Sequence, residues 1–393
     1  MQKPSRLLSR CIASIATVFA VVVLAGCVAS PSQPDKSQGG DASAGPVFYP
    51  PLPNAPRIQY LTTIASERDL AVKKDGFADF IVGEEKDAKQ LTQPYGIAMY
   101  QSKLYVADTG AGGLAIFDLV QQRFSFMTGT GAGRIKRPIN IRIDTDGTRY
   151  VTDTSRDQVL IYDRDDRFLR AYGTEGQFRP VDVAIAGDRL YVTDITHHQI
   201  HVLDKATGRP LFKFGKAGSA DGELFHPTNL AIGPDGDVYV VETSNFRVQR
   251  FTADGKPVRT YGSVGMALGT FARPKGIAMD RTGRMYVGDA AFQNIQMFDN
   301  SGKLLMYFGQ TEGRSDGLNL PAGVSIDYDN VAAFRRFAEP KFNVEYLILV
   351  ASQFGPNKID IFGFGKMSGM DYSDKPAAKI VDQPLKPADA AGP

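Results

Sequence analysis

Tryptophan is absent from this 393-residue chain, cysteine occurs twice and histidine four times. Both thiols, Cys11 and Cys27, lie near the amino terminus, so no disulfide framework can staple the bulk of the chain. No Cys-x-x-Cys-His haem site, phosphate-cradling glycine loop or nucleophile elbow occurs, which leaves no motif for covalent haem, nucleotide or serine-hydrolase chemistry. Charge of one sign is also missing. With 45 basic and 43 acidic residues the formal net charge is +2, too little for bulk electrostatic binding of nucleic acid.

What the chain has is repetition. Six similar segments each open on a proline, at Pro94, Pro138, Pro180, Pro227, Pro274 and Pro321, in steps of 44, 42, 47, 47 and 47 residues. The fourth copy shows the pattern: Pro227-Thr228-Asn229-Leu230-Ala231-Ile232, a Pro234-Asp235-Gly236 turn, then Val238-Tyr239-Val240-Val241-Glu242. After Thr243-Ser244-Asn245 come Phe246 to Phe251, an Ala253-Asp254-Gly255 turn, and a last run from Val258 to Tyr261 that stops at Gly262. Four short β-runs joined by tight turns make one unit too small to bury its own apolar faces. A period near 45 residues built only of such units predicts an all-β six-bladed β-propeller of four-stranded antiparallel blades.

The motifs Pro-x-Gly-Ile-Ala (Pro94 to Ala98, Pro274 to Ala278), Leu104-Tyr105-Val106-Ala107-Asp108 and the Phe308-Gly309 close resemble the NHL-repeat family of six-bladed propellers, over about residues 90 to 365. Low-density-lipoprotein-receptor propellers have Trp where Val151 and Val192 stand, and the lack of Trp counts against them, WD40 and kelch. The sixth copy is degraded, with an insertion through Phe342 and no convincing fourth strand. Arg57 to Ile64, strand-like and unpartnered upstream of the first blade, is expected to supply that strand, since an open ring would leave sheet edges in water. The propeller is therefore expected over residues 56–366.

The first 26 residues read as a signal peptide: Lys3, Arg6 and Arg10, an apolar run over residues 12–24 too short for a comfortable membrane span, then small residues. Leu24-Ala25-Gly26-Cys27 resembles the lipobox of bacterial lipoproteins. That resemblance implies cleavage before Cys27, lipidation of Cys27 and a stable membrane anchor. Val28 at the following position implies the outer membrane, with the domain expected to face the periplasm. Residues 27–55, rich in Ser, Pro, Gly and Gln, read as a flexible tether, and residues 367–393 as a disordered tail. Without the three basic residues before Cys27 the net charge is near −1. Some NHL propellers bind RNA, but an exported lipoprotein would rarely meet it, so no nucleic-acid partner is expected.

Candidate site residues follow from the repeat register. Just before the opening prolines stand Gln93, Arg137, Arg179, His226, Arg273 and Leu320. If the blades are symmetric, Arg137, Arg179, His226 and Arg273 share one mouth of the central channel and suit an anionic group, unless each arginine instead bonds a carbonyl or a neighbouring carboxylate. Two positions after the prolines stand Asn140, Asp182 and Asn229, with glycine in the other three copies. Six-bladed lactonases hold a divalent metal with such oxygen ligands, so these three residues are the alternative metal site, for calcium or zinc, of a hydrolase or lyase at the channel mouth. The second strands end in Asp108, Asp153, Asp194, Glu242, Asp289 and Ser352, read as acceptors for backbone N–H groups, with calcium ligation as the alternative. His197, His198 and His201 cluster in one blade, where NHL-type amidating lyases spread zinc ligands over several. The first reading is a binding or scaffolding module without a cofactor, its partner an envelope protein or glycan met at the loop face.

Overall fold

The structure is a computed structural model that describes residues 45–70, 88–310 and 316–373. The expected signal peptide, Cys27 and most of the expected tether and tail lie outside the described residues. Five four-stranded antiparallel sheets and one five-stranded sheet form the ring. Blade 1 comprises Pro94–Tyr100, Lys103–Asp108, Gly113–Asp118 and Arg123–Met127. Blade 4 comprises Pro227–Ile232, Val238–Glu242, Arg247–Phe251 and Pro257–Tyr261. Blades 2, 3 and 5 repeat this order, opening on Pro138–Ile143, Pro180–Ala186 and Pro274–Met279. Each proline is the first residue of its strand, where its missing N–H costs no ladder hydrogen bond.

Strand periodicity explains how such short units hold together. In Leu104-Tyr105-Val106-Ala107 the side chains alternate: Leu104 and Val106 pack in the core shared with blade 6, Tyr105 and Ala107 in the core shared with blade 2. Six such cores, one per blade junction, carry the apolar burial. The aromatic-glycine close works as the repeats suggest. Tyr261 is buried, and Gly262 turns at φ 72 where a Cβ would meet Phe271 at 2.4 Å.

Blade 6 is assembled from both ends of the described chain. Its order is Phe48–Tyr49, Ile58–Ile64, Ile359–Met367, Phe342–Ser352 and Pro321–Asp327. Ile58 to Ile64 run antiparallel to Phe364 to Ile359, so the upstream strand does close the ring. Ile58 enters the core between blades 5 and 6, Leu61 and Ile64 the core between blades 6 and 1. Two boundaries differ from the composition-based reading. Phe48 and Tyr49, expected in the tether, form the outermost strand because their rings pack on Phe342 and Phe308, with centroids 5.6 and 5.9 Å apart. Tyr372, expected in the tail, accepts from the Met367 N–H at 2.6 Å and donates to the Pro56 carbonyl at 2.8 Å.

Deleting residues 56–65 removes three core side chains and the edge-covering strand, and single losses of this kind each cost about 2–5 kcal/mol. A sharply lower melting temperature by circular dichroism is expected. An unchanged melt would mean that the ring does not depend on this strand.

Candidate functional site at the channel mouth

The loops that lead into each blade and the turns between second and third strands share one face of the ring, and buried carboxylates tie them together. Asp108 accepts from the Thr92 and Gln93 N–H groups at 2.7 and 2.9 Å, and from Gly110 and Ala111 at 3.1 and 3.0 Å. Asp153 accepts from Lys136, Arg137 and Ser155, and Asp289 from Ala272, Arg273, Ala291 and Phe292. Glu242 accepts from Phe225 N–H at 2.8 Å and pairs with Arg247 at 2.6 Å. Ser352 receives one N–H, from Asn319 at 3.2 Å. These acceptors are occupied by the backbone, as the repeat suggested, and no three His, Cys, Asp or Glu side chains among the described residues are arranged to hold a metal ion.

Asp194 also gathers most of the histidine cluster. His197 Nδ1 and His201 Nε2 lie 2.7 and 3.0 Å from one of its oxygens. Burial opposes ionisation of Asp194, but hydrogen bonds from His201, the Arg179 N–H and His197 outweigh it and hold the carboxyl at about 2. His198 turns the other way, stacks on Phe225 at 4.9 Å and accepts the His226 N–H through Nδ1 at 3.0 Å.

Asp182 and Asn229 meet at the waist of the channel; Asn140 is buried like them, its Oδ1 accepting the Ile141 N–H. Asp182 Oδ2 accepts from the Arg142 guanidinium at 2.8 Å, from the Leu230 N–H at 3.1 Å and from Asn229 Nδ2 at 3.4 Å. Tyr95 reaches across from blade 1 and donates its hydroxyl to Asn229 at 3.0 Å. Glycine at position 96 is needed for this crossing, since a Cβ there would sit 2.3 Å from Asn140 Oδ1. Burial raises the Asp182 pKa against the pull of Arg142. With Arg142 bound to Asp182 and Tyr95 to Asn229, this set works as a cross-channel brace.

Above the brace opens a cavity of about 590 Å³ lined by Tyr95, Arg137, Ile139, Thr154, Arg179, Val181, Ile195, Thr196, His198, His226 and Thr228. No carboxylate lines it. Arg137, Arg179 and Arg273 are exposed, and their hydrogen bonds run through the backbone: each N–H donates to the carboxylate beneath and each carbonyl accepts the N–H that follows a second strand. Several other arginines do pair with carboxylates: Arg142 with Asp182, Arg247 with Glu242, Arg250 with Asp237 and Arg284 with Asp280. Among the described residues, no carboxylate is ion-paired with these three guanidiniums.

Sequence reasoning missed Lys275. It occupies the position one past the proline, where the other blades carry Tyr95, Ile139, Val181, Thr228 and Ala322; a lone cation in that column was the available signal. Its Nζ donates to Gln353 at 2.6 Å and lies 5.6 Å from the centre of the Tyr95 ring. Burial, and then the charge of Arg273, push its pKa down to about 8.

With this group's folded pKa below its ordinary 10.5, the buried charge is a full cost below pH 8, and that cost fades as pH rises from 8 to 10.5. Lys275→Met should therefore raise unfolding free energy by about 2 kcal/mol at pH 7, with the gain shrinking towards pH 10. Urea titrations of both proteins at the two pH values check this, and an equal gain at both would refute the buried charge as its cause.

Comparisons with known proteins place this geometry. Residues 226–251, from the last residue before blade 4 to the end of its third strand, match the family model of the NHL repeat. This segment is an NHL repeat. Protein brain tumor of Drosophila melanogaster is 40% identical over 73 residues, which are 18% of this chain and 7% of that protein, so the chain spans only a small part of that relative. Among solved structures, a gluconolactonase from Xanthomonas campestris superposes with a TM-score of 0.53 at 15% identity, over 81% of this chain and 94% of its own. A streptogramin B lyase gives 0.50 at 14% identity, over 70% and 83%. The calcium-binding protein regucalcin from Agrobacterium tumefaciens gives 0.50 at 12%, over 71% and 92%. At such identities these likenesses establish the propeller fold and nothing finer.

Proposed function

We propose that this NHL-repeat propeller is a lipid-anchored envelope protein that binds a protein or glycan partner through its loop face. An NHL repeat on a six-bladed ring supports a binding or scaffolding module. The observation that carries the finer reading is the set of unpaired arginines at the channel mouth: Arg137, Arg179 and Arg273 are held in place by buried carboxylates through the backbone, and their side chains are left for something outside the chain. Below them the channel is braced shut by Tyr95, Asn229, Asp182 and Arg142, which favours docking at the mouth over passage through the ring. Cys27 supplies the anchor, and the outer membrane facing the periplasm is the location its flanking residues favour.

Cross-linking in intact Gram-negative cells tests both parts. The full chain should fractionate with outer membrane and Cys27→Ala should not; a loop-face cross-link should form with the parent chain and be lost in Arg137→Glu/Arg179→Glu. A cross-link that survives that double change would overturn the loop-face reading. A stoichiometric divalent ion, found by elemental mass spectrometry and lost in Asp182→Ala, would instead favour a metal-dependent hydrolase or lyase.

A further inference from the structure

Resting on the loop-face reading, we propose that the partner is a protein and that it docks by placing an acidic peptide segment in the channel mouth. Charge comes first. Arg137 and Arg179 border the cavity without a carboxylate among its lining residues, Thr154, Thr196 and Thr228 add hydroxyls, and Lys275 lies 5.6 Å from the centre of the Tyr95 ring that lines it. An unpaired guanidinium offers a planar fork that fits a carboxylate in two-point contact, and the closed waist stops the incoming chain at the depth of Tyr95.

The apolar side chains on the same face decide the class of partner. Phe225 is 38% exposed beside His226, Val264 and Met266 are 68% and 48% exposed on the loop leading into blade 5, and Phe354 is 51% exposed on the second-to-third-strand turn of blade 6. Aromatic residues, methionine and arginine are the types enriched where proteins meet, around a desolvated centre. A glycan acid would use the arginines and leave Val264 and Met266 in water. A peptide segment carrying both carboxylates and apolar side chains satisfies the cationic centre and the apolar rim together.

The full chain in detergent, titrated by fluorescence anisotropy against three labelled probes of equal charge, separates the possibilities. The probes are a six-residue peptide alternating glutamate and leucine, one alternating glutamate and serine, and trigalacturonate. The glutamate-leucine peptide should bind tightest, and Arg137→Ala/Arg179→Ala should weaken it about tenfold or more without moving the melting temperature, since neither side chain supports the fold. Phe225→Ser should weaken the leucine peptide and spare the serine one. Trigalacturonate binding as tightly as the leucine peptide, no peptide binding at all, or indifference to the double arginine change would each overturn the acidic-segment inference. A loop-face cross-link in cells that persists alongside such a result would leave the broader reading standing with a different partner chemistry.

Discussion

The ring depends on one repeated interaction: at the end of the second strand in blades 1, 2, 3 and 5, a buried aspartate accepts backbone N–H groups from two loops at once. Leaving such N–H groups buried and unmet would cost about 1–3 kcal/mol each, and an ionised acceptor roughly doubles the strength of the bonds it receives. Asp108 meets four of them, two before the blade and two after the strand. The interaction therefore fixes where one blade begins relative to where its own second strand turns. It also fixes the side chain of the residue before the proline. At Arg137, Arg179 and Arg273 the backbone is held inward by an anion while the cationic side chain faces outward.

The same arrangement explains why the channel separates into two regions. At the waist, Asp182 of blade 3 and Asn229 of blade 4 share a hydrogen bond, with Arg142 of blade 2 supplying the counter-charge to Asp182. At the mouth, Arg137 and Arg179, three positions before Asn140 and Asp182, carry charge with no ion-paired carboxylate among the described residues. Copies that look alike in sequence have thus been divided between bracing the ring and presenting a surface.

Much of the fold was legible because a period near 45 with a strand-turn grammar admits few architectures, and because Asp108, Asp153, Asp194 and Asp289 repeat in one register. The closing strand at Ile58–Ile64 was legible from need, as the sixth copy lacks a fourth strand. Phe48 and Tyr49 were not, since proline-rich composition masks two aromatic residues whose order comes wholly from distant partners, Phe342 and Phe308. The mouth arginines could be placed by register alone, but whether they were paired could not, because that depends on which carboxylates other loops bring near. Lys275 escaped for a related reason. A lysine in a strand reads as solvated until packing covers it, and only the fold lays it beside Tyr95 and Gln353.

Blade 6, closed by a strand that precedes its own first strand by more than 250 residues, sets the order in which the molecule can be completed. Blades 1 to 5 are contiguous and can each form as they leave the ribosome, but the Ile58–Ile64 strand has only the two-residue Phe48–Tyr49 strand beside it until Ile359–Met367 emerges. Pairing at that separation carries the largest loop-closure entropy in the chain. The ring can therefore close only once Ile359–Met367 has been made, after every other described strand of the ring.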